Sequence, residues 1–340
     1  MHVRENIKRT GATLEALMYE ANGDPCSVVH LVTIPEPVAR AGEVVVDLEA
    51  VPLHIADLKA IRGNLPFAPK GPGCPGFEGV GRIVSCGDGV TGWKAGDRVI
   101  LPLFYGTCRT RLAVPADGLW RAPETVPAEQ LALVRVNMTT AYLLLHAYLD
   151  LQPGDWIIQN AANSNVAGFV RVLAEQIGVN VINLVRRPEL ITHLKQRGIA
   201  HVALDHPASI KAICLELGAS PRLALDAIGG PATARLAHAA ADNGLVLAYG
   251  FLSEEPYQIH YEDAMFRNVR LEVMTINSGM LKTDAAQLVS MSARIEQIVA
   301  TVELNAEIAG IYSFSEHQAA LAAAGQTGAK RAGKVILKPS

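Results

Sequence analysis

The alternation of apolar strands with helical stretches after residue 137 constrains the fold more than any other feature of this chain. Strand-length apolar runs recur at "WIIQNA", "VINLVR", "HVALD", "LALDAIG", "GLVLAYG" and "VRLEVMTI". Helical patterns such as "VAGFVRVLAEQIG" and "PATARLAHAAADNG" separate them. Parallel strands that are covered by helices on both faces are almost continuously apolar, so this region is predicted to be an α/β, doubly wound parallel sheet.

The region before residue 137 has a different character and is rich in β-structure. "GEVVVDLEAVPL" is a predicted strand, and "GVGRIVSCGDGVTGWKAGDRVILPL" contains two strands joined by Gly/Asp turns. "GNLPFAPKGPGCPGFEG" is too rich in proline and glycine for regular structure. The tail from residue 315 is predicted to be a helix, a Gly-rich turn and a strand that returns to the first domain. We expect one domain at 1–136 with 310–340, and another at 137–309.

Composition narrows the class of protein. The chain has 340 residues, of which 50% are apolar and 19% charged, with a formal net charge of -3. This balance is that of a globular protein, and it gives no reason to expect nucleic acid or a membrane as partner. The start of the chain has no apolar secretory segment, although it carries Arg4, Lys8 and Arg9. The expected location is cytoplasmic.

The loop after the first parallel strand, within "WIIQNAANSNVAG", has the position of a phosphate-binding loop. Ala161, Ser164 and Ala167 stand where such loops usually carry glycines, with Asn163 and Asn165 between them. The serine and asparagine side chains add donors beside a helix N-terminus, where an anion is favoured, and asparagine tolerates positive φ. The alternative is an αβ unit that no longer binds a nucleotide.

The end of the next strand indicates which coenzyme the unit prefers. Enzymes that prefer NAD usually place an acid there, to bind the ribose 2′-hydroxyl. This chain has Arg186 and Arg187 instead. A guanidinium binds a 2′-phosphate bidentately, so the pair favours NADPH over NADH. The alternative is that both arginines are the solvated start of a helix.

These segments resemble the medium-chain dehydrogenase/reductase superfamily, and within it the zinc-free branch of mitochondrial-type 2-enoyl thioester reductases and quinone oxidoreductases. The resemblance is carried by "VNMTTAYLLL", "LQPGDWIIQNAANSNVAG", "VINLVRRPE", "LALDAIGG", "GLVLAYG" and "GKVIL", and covers nearly all of the chain after residue 12. It implies a GroES-like substrate domain, a Rossmann domain that binds NADPH, and a homodimer.

The resemblance also implies which residues contact the coenzyme. They lie before the phosphate loop, in it, and after the later strands. The implied contacts are Asn137, Asn163, Ser164, Asn165, Val166, Arg186, Arg187, Tyr249, Gly250, Phe251, Leu252, Met274, Thr275, Ile276 and Lys334.

Zinc-dependent alcohol dehydrogenases belong to the same superfamily, so a metal site must be considered. A catalytic zinc needs three protein ligands. The corresponding positions hold His54, Phe77 and Asn137, of which one is a usual ligand. We therefore expect no metal, and we interpret His54, near Asp57, as a structural or substrate-lining histidine.

The substrate region departs from the thioester reductases at two positions. Leu65 stands where these enzymes carry a tyrosine that is thought to donate a proton or polarise the thioester carbonyl, and Cys108 replaces a tryptophan. Leucine cannot donate a hydrogen bond. Tyr105, Thr140 and His54 are candidate replacements, although each could be a packed or surface polar residue, and water or a ribose hydroxyl could serve instead. Cys108 is interpreted as a core thiol.

The sequence therefore predicts an NADPH-dependent reductase of an activated C=C bond that works by hydride transfer without zinc. Its substrate would be a small molecule: a 2-enoyl thioester or another α,β-unsaturated carbonyl. The alternatives are a quinone oxidoreductase, and an NADPH-binding protein or sensor without turnover. Alcohol dehydrogenation is disfavoured because the zinc ligands are lacking.

Overall fold

The computed structural model describes residues 14–65, 70–326 and 333–339. The chain divides into two compact units. The first unit comprises the residues up to Val136 together with those from Glu296 onward, and the second is Asn137–Ile295.

The return to the first unit lies at Glu296 rather than at residue 310, where the sequence placed it. Hydrogen bonds explain the difference. The backbone N–H of Arg121 donates to Glu296 Oε1 at 3.1 Å. The Gln130 amide exchanges two hydrogen bonds with the backbone of Ala306, at 2.8 and 3.1 Å. The segment that follows Glu296 is therefore bound to the first unit before its strand begins.

The regular elements are numbered along the whole chain. The strands are β1 (Glu15–Met18), β2 (His30–Thr33), β3 (Glu43–Leu53), β4 (Val80–Cys86), β5 (Arg98–Ile100), β6 (Arg111–Pro115), β7 (Trp120–Arg121), β8 (Trp156–Gln159), β9 (Asn180–Val185), β10 (Val202–Leu204), β11 (Leu223–Asp226), β12 (Leu245–Ala248), β13 (Arg270–Val273), β14 (Ile308–Ser313) and β15 (Lys334–Lys338). The α-helices are α1 (Pro25–Val28), α2 (Ile55–Ile61), α3 (Ala128–Leu131), α4 (Val134–His146), α5 (Asn165–Gln176), α6 (Pro188–Gln196), α7 (Pro207–Leu217), α8 (Pro231–Ala239), α9 (Ile276–Leu281), α10 (Ala285–Thr301) and α11 (His317–Ala324).

The first unit is built around β3, which pairs antiparallel with β4, β6 and β15. Its sheet has the order β14–β15–β3–β4–β5–β7. Val44, Val46 and Leu53 of β3 are buried in a core that also contains Phe314. The pairing of β15 with β3 confirms the prediction that the C-terminal strand returns to the first domain. The Gly-rich turn before β15 falls on 327–332, outside the described residues.

The Pro/Gly-rich segment after α2 is irregular, as predicted, over the part that the structure describes; residues 66–69 lie outside it. Gly76 shows why this segment needs glycine. Its φ is +107°, and a Cβ there would lie 2.4 Å from Thr107 Oγ1. Any other residue at this position would clash and force the backbone to move.

The second unit is a six-stranded parallel sheet with the order β10–β9–β8–β11–β12–β13. All six predicted strands are present, and the helices between them pack on the sheet. The interior is apolar; for example, Ile158, Leu184 and Val246 are all 0% exposed. These observations confirm the predicted doubly wound sheet, in which β13 is an edge strand. Among the described residues, no helix has both the length and the apolar character needed to cross a membrane.

Candidate active site

The loop between β8 and α5 leads into the N-terminus of α5. Ser164 is the N-cap of α5, and its Oγ accepts a hydrogen bond from the N–H of Ala167 at 3.3 Å. The loop residue with positive φ is Ala161, at +46°. Asn163 and Asn165, which tolerate positive φ better than most residues, do not adopt it here. A left-handed alanine is strained, so other contacts must hold the loop in this shape.

One set of contacts lies where β11 ends. The amide of Asn160 donates from Nδ2 to Asp226 Oδ1 at 2.6 Å, and its Oδ1 accepts from the N–H of Ala227 at 2.8 Å. The other carboxylate oxygen of Asp226 accepts from the Thr233 hydroxyl at 2.5 Å. Asn160, Asp226 and Thr233 are all 0% exposed. The start of the loop is thus tied to the neighbouring strand by buried, fully engaged groups.

A second set of contacts lies between α5 and β9. Arg171 donates from Nη1 to the carbonyl of Ala162 at 2.8 Å and to Asn183 Oδ1 at 3.2 Å. Gln159 donates to the same Asn183 oxygen at 2.8 Å. Burial, and then the nearby charge of Arg197, lowers the pKa of Arg171 to about 10, so its guanidinium is still charged at neutral pH.

We call the two sets together the loop network, made up of Gln159, Asn160, Arg171, Asn183, Asp226 and Thr233. This network binds the carbonyl of Ala162 and includes the side chain of Asn160 at the start of the loop. It therefore holds the backbone of the loop in place. A fixed turn at a helix N-terminus holds its N–H groups ready for a phosphate.

Two buried donors near this loop have no hydrogen-bond partner within the described chain. They are Asn165 Nδ2 and the hydroxyl of Tyr249. Ser164 lies beside the Tyr249 hydroxyl, but their contact lacks hydrogen-bond geometry. Burial, followed by the charge of Asp226, raises the pKa of Tyr249, which keeps its hydroxyl a neutral donor. Buried donors without partners are rare, and here they fit a polar ligand that carries acceptor oxygens.

The segment after β12 packs closely against the end of β11 and then becomes exposed. A Cβ at Gly250 would lie 2.5 Å from the carbonyl oxygen of Ala227, so only glycine fits. The next two side chains, Phe251 and Leu252, are 47% and 56% exposed. Apolar side chains exposed beside polar donors are typical of a small-molecule site.

Arg186 and Arg187 follow directly after β9. Arg186 is exposed, whereas Arg187 is half-buried at the N-cap of α6. The Nε of Arg187 lies 3.4 Å from Glu189 Oε1. Glutamate therefore offsets part of the charge of Arg187, and Arg186 is the better placed of the two for an anionic ligand.

The remaining sequence-predicted contacts of the second unit differ in exposure. Asn163 is exposed and Val166 is half-buried. Asn137 and Met274 are each 3% exposed. Thr275 is the N-cap of α9, where its Oγ1 accepts from the N–H of Ser278 at 3.1 Å, and Ile276 is the first residue of that helix.

The first unit contains a line of titratable side chains that we call the charged array: Lys334, His54 and Glu78. His54 Nε2 lies 2.7 Å from Glu78 Oε1, and its Nδ1 lies 3.4 Å from Lys334 Nζ. The other oxygen of Glu78 accepts from the N–H of Val136 at 2.7 Å. His54 is 7% exposed and Glu78 is 0% exposed, whereas Lys334 is half-buried.

The environment of His54 differs in detail from the sequence interpretation. Asp57 contacts the backbone of His54 rather than its ring, and accepts from its N–H at 2.8 Å. The ring pairs with Glu78 instead. Phe77, at the second expected zinc position, packs edge-on against Phe104 with ring centroids 5.1 Å apart. Over the described ranges, no group of three or more His, Cys, Asp or Glu side chains could hold a metal ion.

The residues of the predicted substrate region differ in how far they are buried. Leu65 is 5% exposed and so packs as a core residue. Cys108 is 0% exposed, and burial raises the pKa of its thiol well above the ordinary value, which confirms the core-thiol interpretation. Tyr105 is 41% exposed, so it does not share the environment of Cys108 as its spacing suggested. Thr140 is 7% exposed on α4.

Sequence reasoning missed three residues that organise these sites. Arg171 lies within a helix and shows no pattern that separates it from a surface arginine. Glu78, in "GFEG", and Asp226, in "LALDAIG", had detectable signals, because an acid that borders an apolar strand must find buried donors.

Comparison with known proteins identifies the class of protein to which this chain belongs. Residues 40–134 match the alcohol dehydrogenase GroES-like domain. The human mitochondrial enoyl-[acyl-carrier-protein] reductase is 31% identical over 320 residues, which cover 92% of this chain and 86% of that protein.

Two solved structures share the fold. The mitochondrial 2-enoyl thioester reductase Etr1p/Etr2p heterodimer from Candida tropicalis has a TM-score of 0.82 at 24% identity, covering 96% of this chain and 100% of that one. An Etr1p variant in complex with NADP and crotonyl-CoA has a TM-score of 0.82 at 25% identity, covering 96% and 99%.

The fold and the matches together define a medium-chain dehydrogenase/reductase of the zinc-free branch, as the resemblance implied. The coverage and identity then decide the family. This chain belongs to the family of mitochondrial enoyl-[acyl-carrier-protein] reductases.

The same comparisons correct the expected location. The relatives from human, Dictyostelium discoideum, rat and Arabidopsis are named as mitochondrial proteins. The cytoplasmic expectation is therefore wrong. It rested on the start of the chain, where Arg4, Lys8 and Arg9 lie outside the described residues.

Proposed function

We propose that this protein is an NADPH-dependent oxidoreductase that reduces the C=C bond of a 2-enoyl thioester. The observation that carries this proposal is the polar loop after β8 in the second unit. A strained, braced loop and two unpartnered buried donors lie in a chain whose relatives reduce enoyl thioesters.

The second unit offers a partner for each polar part of NADPH. The N-terminus of α5, with Ser164 and Asn165, would take the pyrophosphate. Arg186 and Arg187 would take the 2′-phosphate, and their position after β9 supports this assignment. Tyr249 would donate its hydroxyl to an oxygen of the coenzyme. When bound, NADPH supplies the hydride.

The other coenzyme contacts stay predictions on the same basis. In the second unit they are Asn137, Asn163, Val166, Gly250, Phe251, Leu252, Met274, Thr275 and Ile276, and in the first unit Lys334. Gly250 lets the segment after β12 lie close to the backbone of Ala227, beside the end of β11.

The direct test follows the absorbance of the reduced nicotinamide while the purified protein acts on crotonyl-CoA. We expect oxidation of NADPH that depends on crotonyl-CoA, and much slower oxidation of NADH. Butyryl-CoA, which lacks the double bond, is the matched control and should give no reaction. The proposal fails if a panel of 2-enoyl thioesters of different chain lengths gives no oxidation.

Quinone reduction is the second candidate, and one observation favours it. Leu65 is a buried apolar residue where the thioester reductases carry a tyrosine. A site without that hydroxyl could accept an electron-poor ring that needs less help with protonation. Parallel assays with a simple quinone separate the two functions, since a quinone reductase would show the higher kcat/KM with the quinone. Tight NADPH binding without reduction of either acceptor would instead indicate a sensor.

A homodimer is the proposed assembly, formed through β13. Within the described part of the chain this strand is at the edge of its sheet and pairs on one side only, with β12. Large apolar side chains on β13 and in the preceding segment are exposed, with Val273 at 53%, Met265 at 72% and Phe266 at 75%. A second copy of β13 would pair with this edge and cover these side chains.

Light scattering after size-exclusion chromatography tests this assembly. Wild type should have twice the chain mass, and a Val273→Lys, Phe266→Lys variant should have the mass of one chain. Val289→Lys is a matched control at another exposed apolar residue, 72% exposed, and should leave the mass unchanged. A monomeric wild type would contradict the proposal.

A further inference from the structure

Two side chains of the segment that follows β12 hold that segment in a loop. The hydroxyl of Tyr257 donates to the carbonyl oxygen of Gly250 at 3.0 Å. The hydroxyl of Ser253 donates to the carbonyl oxygen of Ile228 at 2.8 Å and accepts from the N–H of Glu255 at 3.2 Å. We call Ser253 and Tyr257 the clamp pair. Through the contact of Tyr257 with Gly250, residues 250–257 form a closed loop.

Backbone hydrogen bonds join the same loop to the end of β11. The N–H groups of Tyr249 and Gly250 donate to the carbonyl of Asp226 at 2.9 and 3.3 Å, and the N–H of Ser253 donates to the carbonyl of Ile228 at 2.8 Å. Gly250 is therefore held through its N–H by β11 and through its carbonyl by Tyr257. The orientation of the backbone at the start of the loop is fixed from both sides.

Two glycines let the clamp pair lie close to the turn after β11. Gly229 and Gly230 have φ of +83° and +61°. A Cβ at Gly229 would lie 3.2 Å from Ser253 Oγ and 3.4 Å from Cε1 of Tyr257, and a Cβ at Gly230 would lie 3.3 Å from Ser253 Oγ. The clamp pair thus packs directly on this turn, at a distance that suits glycine.

The side chains that the clamp pair holds in place are Phe251 and Leu252, at the exposed part of the loop. They are 47% and 56% exposed. Because neither is buried, fixing their position adds little apolar burial to the folded protein. Fixed positions do help a ligand to bind, since the entropy of ordering the loop is then not lost on binding. The arrangement is that of a surface prepared for a ligand.

The strand order indicates which half of the coenzyme this loop meets. The order β10–β9–β8–β11–β12–β13 is the arrangement in which two mononucleotide-binding halves lie side by side. The 2′-phosphate is assigned above to the arginines after β9, and the pyrophosphate to the N-terminus of α5, after β8. Tyr249, which precedes the loop, lies beside Ser164 at that N-terminus. A coenzyme that continues in the same direction reaches the loop after β12 with its nicotinamide half.

We propose that Ser253 and Tyr257 are positioning residues that hold Phe251 and Leu252 against the nicotinamide half of NADPH. They therefore determine the affinity for that half and not for the adenosine half. This inference rests on the coenzyme binding proposed above. Apolar side chains suit the flat face of the nicotinamide ring and exclude water from it.

Calorimetry with NADPH and with 2′,5′-ADP, which lacks the nicotinamide half, tests this role. We expect Tyr257→Phe to raise the Kd for NADPH about fivefold, because one hydrogen bond of the loop is lost, and to leave the Kd for 2′,5′-ADP unchanged. Ser253→Ala should show the same selectivity. Equal increases for the two ligands, or no increase for NADPH, would overturn the proposal.

Tyr261→Phe is the matched control. The hydroxyl of Tyr261 donates to Glu262 Oε1 at 3.2 Å, and its side chain is 64% exposed. Loss of this hydroxyl should leave both Kd values unchanged. A fivefold rise in the Kd for NADPH in this variant as well would mean that the effect of Tyr257→Phe does not come from the clamp pair.

A double-mutant cycle tests whether the clamp pair acts through the apolar side chains. In a variant with Phe251→Ala and Leu252→Ala, adding Tyr257→Phe should raise the Kd for NADPH by less than about twofold, because the side chains that Tyr257 positions are already gone. A further fivefold increase would show independent effects and overturn the positioning role.

The fluorescence of bound NADPH gives a readout that needs no turnover. At saturating protein, the nicotinamide should emit more strongly with wild type than with Tyr257→Phe or Ser253→Ala, because a fixed loop shields the ring from water. Equal emission from the three proteins would contradict the proposal. If wild type binds neither NADPH nor 2′,5′-ADP, the proposed function fails, and the clamp role with it. If wild type binds both and the variants match it, the clamp role alone fails.

Discussion

Buried polar side chains have different arrangements in the two units. In the loop network, the charged residues Arg171 and Asp226 lie among neutral amides and bind backbone groups or side chains that do not titrate. In the charged array, three titratable side chains are bonded in series. The first arrangement holds a backbone in one shape. The second places a lysine, a histidine and a glutamate in contact with one another.

This contrast matches where the chain keeps and where it loses the features of its family. The segments that carry the resemblance in the coenzyme region belong to the second unit, around the loop network. Leu65 and Cys108, which depart from the family pattern, belong to the first unit, which also contains the charged array. The family features thus persist in the unit that contains the loop network, and the two departures lie in the unit that contains the charged array.

The largest effect on the loop network is expected from Asp226→Ala. The carboxylate accepts from Asn160, from Thr233 and from the N–H groups of Ile228 and Gly229, and it is 0% exposed. Its removal leaves buried donors without partners, so the free energy of unfolding should fall by about 3 kcal/mol or more. Urea denaturation of the coenzyme-free protein measures this change.

Asp242→Ala is the matched control for this experiment. Asp242 pairs with Arg267, but its side chain is 73% exposed. Its removal should leave the urea midpoint unchanged, because exposed ion pairs contribute little. If the two variants unfold at the same urea concentration, the loop network is not what stabilises this part of the second unit.

The next effect concerns selectivity for the coenzyme. Arg186→Ala combined with Arg187→Ala should weaken NADPH binding roughly 100-fold and leave NADH binding nearly unchanged, because only NADPH has the 2′-phosphate. Of the single variants, Arg186→Ala should have the larger effect, since Glu189 already offsets Arg187. Calorimetric titration with both coenzymes measures the ratio. Equal losses for NADPH and NADH would mean that neither arginine contacts the 2′-phosphate.

A smaller effect tests whether the loop network acts by shaping the loop. Arg171→Met removes the donor to the Ala162 carbonyl, and NADPH affinity should fall about tenfold as the strained loop relaxes. Ala161→Gly removes the strain at φ +46°. Added to Arg171→Met, it should restore part of the affinity. Independent, additive effects of the two substitutions would show that Arg171 does not act through the shape of the loop.

The sequence predicted the fold well because the fold depends on patterns that a linear chain displays. The six apolar runs, their spacing and the C-terminal strand all appear where expected. The boundary at Glu296 was missed, because it depends on long-range hydrogen bonds such as the pair between Gln130 and Ala306.

The site was predictable in its residue types but not in its contacts. Arg186 and Arg187 could be singled out because their position after a strand has a meaning in itself, and their contact with the coenzyme stays a prediction. The pairing of His54 with Glu78, 24 residues apart, could not be read from spacing, so Asp57 was taken as its neighbour instead. Nor could Ala161 be recognised as the left-handed residue, since alanine seldom adopts that conformation.

The smallest effect comes from the group that belongs to neither the loop network nor the charged array. The hydroxyl of Tyr249 is buried and has no hydrogen-bond partner among the described residues. Tyr249→Phe should therefore leave the free energy of unfolding of the coenzyme-free protein unchanged, or raise it by up to about 1 kcal/mol. NADPH affinity should fall about fivefold if the hydroxyl donates to the coenzyme.

Because burial raises the pKa of Tyr249, this loss of affinity should be the same from pH 6 to pH 9. Urea denaturation and calorimetry on the same variant give both numbers. A destabilised variant with unchanged NADPH affinity would show that the hydroxyl has a structural partner. In that case Tyr249 would belong to the loop network. It would then be a residue that shapes the loop and not one that contacts the ligand.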